Sequence, residues 1–140
     1  MDDLERFLAA QDNSGTFARA MSELRAGRKR SHWMWFVFPQ LAGLGHSEMS
    51  QTYAIASLDE AREYLADPVL GWRLRESAAA LLEHPARSAE EILGPVDALK
   101  LRSSMTLFAA ADPEEAVFAG VLEAFYGGEP DPATEALLAS

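Results

Sequence analysis

Ser31-His-Trp-Met-Trp-Phe-Val-Phe38 is the stretch on which the fold class turns. Read as a strand, it sets His32, Met34, Phe36 and Phe38 on one face against Trp33, Trp35 and Val37. Read as a helix, it brings Arg28, His32, Trp35 and Pro39 near one stripe, with Ser31 as a cap. A run this short fits both periods. Its surroundings favour helix, and Phe38 must leave the helical region because Pro39 follows.

Outward from that run, the chemistry is dense. Gly27-Arg-Lys-Arg30 places three consecutive cations before it, and Gln40 and the turn residues Gly43 and Gly45 follow. The preceding chain reads as two helices: Leu4, Phe7 and Leu8 in one, Phe17, Met21 and Leu24 in the other. Asn13-Ser14-Gly15 breaks them apart, and Gly27 suits the second helix's C-terminal stop. After the glycine turn, a helix is expected to start at Ser47 or Ser50 and to carry Tyr53. Ser57-Leu-Asp-Glu60 and Ser88-Ala-Glu-Glu91 both have capping-box spacing. Leu70, Leu74, Ala78 and Leu81 mark a longer helix between them, stopped by Pro85.

Pro95 suits the first turn of the next helix. Asp97, Lys100 and Ser104 share one of its faces; Leu101, Met105 and Phe108 form an adjacent apolar stripe, and Ser103 and Thr106 point elsewhere. Asp112-Pro-Glu-Glu115 opens a helix with Val117, Val121, Leu122 and Phe125 inward, stopped by Gly127-Gly128. Asp131-Pro132 opens the last, ending at Leu138. Strand signals and internal repeats are nearly absent. The expectation is an all-α, compact single domain over 1–140, a bundle of about seven to nine short helices.

Composition bounds the function. At 140 residues and 49% hydrophobic, the chain can bury a core. It has no cysteine, which excludes disulfides, thiolate metal sites and cysteine nucleophiles. No signal peptide is visible and no apolar run is long enough for a bilayer, so a cytoplasmic protein without a membrane association is expected. The net charge of −10 disfavours general nucleic-acid binding. Its distribution matters more. No acid lies between Leu24 and Ser47, where Arg25, Arg28, Lys29 and Arg30 sit, and no cation follows Arg102. A local basic patch on an acidic body suits a small anionic ligand or an acidic partner surface. Equally, it can be a solvated helix end that complements its own dipole.

Gly27-Arg-Lys-Arg-Ser-His-Trp-Met-Trp-Phe-Val-Phe-Pro-Gln-Leu-Ala-Gly-Leu-Gly45 closely resembles a bacterial family, domain of unknown function 1810. The resemblance continues through Tyr53-Ala-Ile55, Ser57-Leu-Asp-Glu-Ala61, Tyr64-Leu65 and Pro68-Val-Leu-Gly71. It returns at Asp97, Lys100 and Ser103-Ser-Met-Thr-Leu-Phe108, closes with Phe125 and Gly127-Gly128, and so covers almost the whole chain. Phe17 stands where a tyrosine is common, and the connection before Asp97 differs in detail. The resemblance implies a mainly α-helical fold and brings no established activity. Members are sometimes labelled calpastatin-like, but inhibitors of that type are polar and disordered, unlike this apolar, aromatic chain.

Two polar sets carry the candidate chemistry. One is Arg28, Lys29, His32 and Gln40 with Trp33, Trp35 and Tyr53; the other is Asp97, Lys100, Ser103, Ser104 and Thr106. Indole faces stack on flat rings, cations take phosphate or carboxylate, and hydroxyls with glutamine fix orientation. If the two sets meet, they suit a nucleotide-like or other anionic ligand. For proton transfer, His32 or Asp97 is the catalytic candidate, with Lys100 or Arg28 holding the anion. Plainer readings stand beside these. The aromatics can be core, Asp97 and Lys100 a helical i, i+3 pair, and His32 a structural hydrogen-bonding group. Ser103, Ser104 and Thr106 can bond back to the preceding turn. The same patch can also serve as a protein-interaction module with no chemistry. No cofactor is expected, and His32, His46 and His84 have no metal-ligand spacing.

Overall fold

A computed structural model describes residues 4–140. Among these described residues, ten α-helices and one 3-10 turn account for the regular structure. In chain order these are α1 (Glu5–Asp12), the turn Asn13–Gly15, α2 (Thr16–Ala26), α3 (Met34–Val37), α4 (Glu48–Thr52) and α5 (Leu58–Ala66). Then come α6 (Leu70–Leu81), α7 (Ala89–Leu93), α8 (Pro95–Ala111), α9 (Ala116–Tyr126) and α10 (Pro132–Ala139). Among the described residues the only β pairing is an isolated parallel bridge between Leu41 and Ile55. No described helix is long and apolar enough to cross a membrane.

The longest helix, α8, is the centre, packing against α5, α7, α9 and α10. Its middle is enclosed by these neighbours: every residue from Ser103 to Phe108 is buried, and Leu101, Met105, Leu107 and Phe108 are fully so. A string of rings crosses the core from Phe36 through Tyr53, Phe7, Tyr64 and Phe108 to Phe118. Successive centroids lie 5.2–5.9 Å apart, inside the range where aromatic pairs attract. Gly71 is a forced choice: a Cβ there would lie 2.2 Å from the Leu65 carbonyl oxygen, so α6 could not start so close to the end of α5.

Several local expectations need correction. The stretch Ser31–Phe38 is helical only over the single turn Met34–Val37, and Phe38 leaves the helical region before Pro39. Ser31 does not cap it; Trp33 stands at that position without a side-chain bond. Tyr53 follows α4 rather than lying in it, and Ser47 supplies the cap. The Ser88 box is complete, and the hydrogen bonds Glu91 accepts from Ser88 hold its carboxyl below the usual range. In the Ser57 motif, by contrast, the Glu60 carboxylate accepts from Ala56 N–H instead. On α9 the fully buried ring is Phe118, while Val117 and Phe125 are only half-buried.

Candidate functional site

The site starts from the end of α2. Gly27 closes that helix at φ 74°, and the Arg28 N–H donates to the Glu23 carbonyl at 3.0 Å. A left-handed residue favours glycine here, and a Cβ would come within 3.0 Å of the His84 ring. His84 Nε2 meets the Leu24 carbonyl at 2.8 Å and Arg87 donates to the Gly27 carbonyl at 2.9 Å, so the helix end is tied down.

The chain that leaves it wraps around one buried carboxylate. Glu23 accepts the backbone N–H of Arg30 at 2.7 Å and of Ser31 at 2.9 Å, the indole N–H of Trp33 at 2.9 Å, and the Ser31 hydroxyl. Burial alone would raise its pKa, but these donors outweigh it and bring the value from 4.5 down to about 2. This knot fixes the segment that places Lys29. The Lys29 N–H donates to the Ile92 carbonyl at 2.7 Å, fastening the segment to α7.

From there Lys29 reaches the first turn of α8. Its ammonium lies 2.9 Å from Asp97 Oδ2, and the Lys100 ammonium lies 3.4 Å from Asp97 Oδ1. Each ammonium also stands over an indole, Lys29 at 5.1 Å from the Trp33 ring centre and Lys100 at 4.6 Å from that of Trp35. The side chains of Lys29, Asp97 and Lys100 are 10%, 17% and 22% exposed. One carboxylate thus sits between two ammoniums in a mostly buried cluster that keeps a surplus positive charge. One turn beyond Lys100 on the same helix face is Ser104, whose fully buried hydroxyl has no hydrogen-bond partner among the described residues.

A family model described as "Protein of unknown function (DUF1810)" matches residues 1–138. The chain belongs to the DUF1810 family. Among solved structures it is similar to the conserved hypothetical protein Rv1873 from Mycobacterium tuberculosis, at 51% identity and TM-score 0.95. That match covers 99% of this chain and 97% of the other. No curated protein matches.

Within this DUF1810 chain, the structure joins Lys29, Trp33 and Trp35 to Asp97 and Lys100, and leaves other expected site residues elsewhere. Trp33 is fully buried, so its indole is a wall and a donor to Glu23, with no face open to a ligand. Arg28 and His32 are exposed. Gln40 lines a small hollow of about 140 Å³ with Leu41, Leu44, Ser50 and Gln51. Tyr53 packs on Phe7 and Phe36 beside an open depression lined by Arg6 and Asp12. Ser103 and Thr106 hold α10 in place. The Ser103 hydroxyl lies 3.0 Å from that of Thr134, which donates to Asp131 at 2.6 Å. Thr106 donates to the Arg102 carbonyl and accepts the Asp131 N–H, both at 2.8 Å.

Glu23 belongs to no motif that marks it in the sequence. One signal was available: an acid in the last turn of a helix opposes the dipole there, so Glu23 needs donors from beyond the helix end. Among the described residues, no group of three His, Asp or Glu side chains is placed to hold a metal ion.

Proposed function

We propose that the Lys29–Asp97–Lys100 cluster binds the phosphate or carboxylate group of a small ligand. The observation that carries this reading is the charge imbalance: two largely buried ammoniums share a single carboxylate. Sequestered charges are normally compensated, and an incoming anion completes this one. Lysine offers three donors, so each ammonium keeps capacity for an oxyanion after meeting Asp97. The unpartnered Ser104 hydroxyl supports the reading as a group available to a bound polar molecule. Exposed Arg28 and His32, close by in sequence, supply positive or polar character for a larger ligand such as a nucleotide.

The indoles take a different role from ring stacking. Trp33 is sealed inside and Trp35 already faces the Lys100 ammonium. They position cations, so recognition rests on the anionic group more than on a flat ring. Asp97 has an ammonium against each oxygen. It therefore acts as an organiser of the lysines rather than as a free base.

A second reading has its own support. Val96 and Leu99 are 65% and 68% exposed on the helix that carries Lys100, and an apolar pair beside cations suits an acidic partner chain. A thermal-shift panel of inorganic phosphate, nucleotides and sugar phosphates on wild type and Lys100→Ala tests the first reading. Stabilisation by a small anion that disappears in the variant is the expected result. A ligand whose effect survives Lys100→Ala places the site elsewhere; no response to any small anion favours the partner-chain reading.

A further inference from the structure

We propose that the groove between α8, α9 and α10 is a docking site for an amphipathic segment of a partner protein that carries Lys or Arg among apolar side chains. The groove measures about 500 Å³, within the roughly 300–1,000 Å³ span of ligand-sized hollows. Ala109 and Ala110 of α8 line it with Leu122 of α9 and Leu138 of α10, and Glu135 and Ala139 are its exposed lip. Small side chains between larger ones leave room for apolar groups from outside. The open lip lets them arrive on a longer chain.

Charge decides which chain. Residues 103–140 contain no Lys or Arg, and they hold Asp112, Glu114, Glu115, Glu123, Glu129, Asp131 and Glu135. Some of these acids are committed: Glu115 lies 2.7 Å from Arg75, and Asp131 caps α10. Glu129 stands 3.8 Å from Arg102 but is 80% exposed, while Glu123 and Glu135 are exposed with no cation partner among the described residues. An apolar groove lined by exposed Glu135, which has no cation partner among the described residues, selects a segment that is both apolar and basic. An acidic segment, the kind that would suit the lysine cluster, is repelled here. The groove uses the C-terminal half of α8 and does not depend on what the cluster near its N-terminus binds.

The test is fluorescence anisotropy with a labelled synthetic amphipathic helix of Leu and Lys. Two control peptides are used, a Ser/Lys peptide of equal charge and a Leu/Glu peptide of equal apolarity. The Leu/Lys peptide is expected to bind at least about tenfold tighter than either control, and more weakly as salt rises. Glu135→Lys and Ala139→Trp, both at exposed positions, should each weaken it by about tenfold with the helical circular-dichroism spectrum unchanged. Equal binding of the Ser/Lys peptide, absence of binding, or binding indifferent to both substitutions overturns the proposal. So does self-association of the protein, seen by sedimentation and abolished by Glu135→Lys, which would make a second copy the occupant.

Discussion

Glu23 and Asp97 are both carboxylates that hold the Arg28–Trp33 segment, yet they are built to opposite plans. Glu23 is buried and collects donors from two backbone amides, a hydroxyl and an indole. Every donor around it belongs to a segment only 7–10 residues away in the chain, so the knot is local and self-contained. Asp97 comes from a distant helix, meets two ammoniums, and leaves positive charge over. A satisfied carboxylate specifies a shape; an outnumbered one leaves a site that an anion can enter.

The largest effect should follow from breaking the first. Glu23→Ala strands several partly or fully buried donors, each costing about 1–3 kcal/mol with water recovering some of it, so a net loss of about 3 kcal/mol is expected in urea unfolding. The same group gives a pH signature. Its folded pKa of about 2 lies below the ordinary 4.5. Its contribution is therefore fully present above the higher value and lost as pH falls through the lower one. Unfolding of wild type against Glu23→Gln should show the two stabilities converging over that acid window. A constant gap would mean the carboxylate charge is not what holds the segment.

Breaking the second should cost less. Asp97→Ala leaves the two ammoniums facing each other across a partly buried cluster. Its cost is expected at about 1–2 kcal/mol, between exposed and fully buried ion pairs. Urea midpoints at two ionic strengths check this, with the cost shrinking as salt screens the lysines. A cost matching that of Glu23→Ala would erase the distinction between the two carboxylates.

The smallest effect sharpens the contrast. Ser104 has no hydrogen bond to lose among the described residues, so Ser104→Ala should leave stability unchanged or raise it by up to about 1 kcal/mol. If the hydroxyl serves a ligand, the same substitution weakens anion binding. A clear loss of stability would show that the hydroxyl has a structural partner.

The helices were legible because their signals are local. Ser47, Ser88 and Asp131 mark helix starts through bonds to their own neighbours, Gly27 and Pro95 mark ends through their own backbone geometry, and the α8 stripes follow from spacing alone. The extent of α3 was not legible at its start, because the Glu23 knot holds Arg30 and Ser31 in a non-helical path and the helix begins only at Met34. The site was legible in its residue types and not in its assignments. Lys29, Asp97 and Lys100 stood out by composition, but nothing local says that Trp33 points inward or that Ser103 answers Thr134. Those facts depend on how α10 and the Arg28–Trp33 segment dock onto α8, which is a matter of distant contacts.

The central claim is that the lysine pair carries more charge than Asp97 can balance. Calorimetric titration of the best anion from the thermal-shift panel into wild type, Lys100→Ala and Asp97→Asn tests it most directly. Lys100→Ala should weaken binding, and Asp97→Asn, which keeps the shape but removes the competing negative charge, should strengthen it. Weaker binding in Asp97→Asn, or equal affinity in all three proteins, would contradict the account.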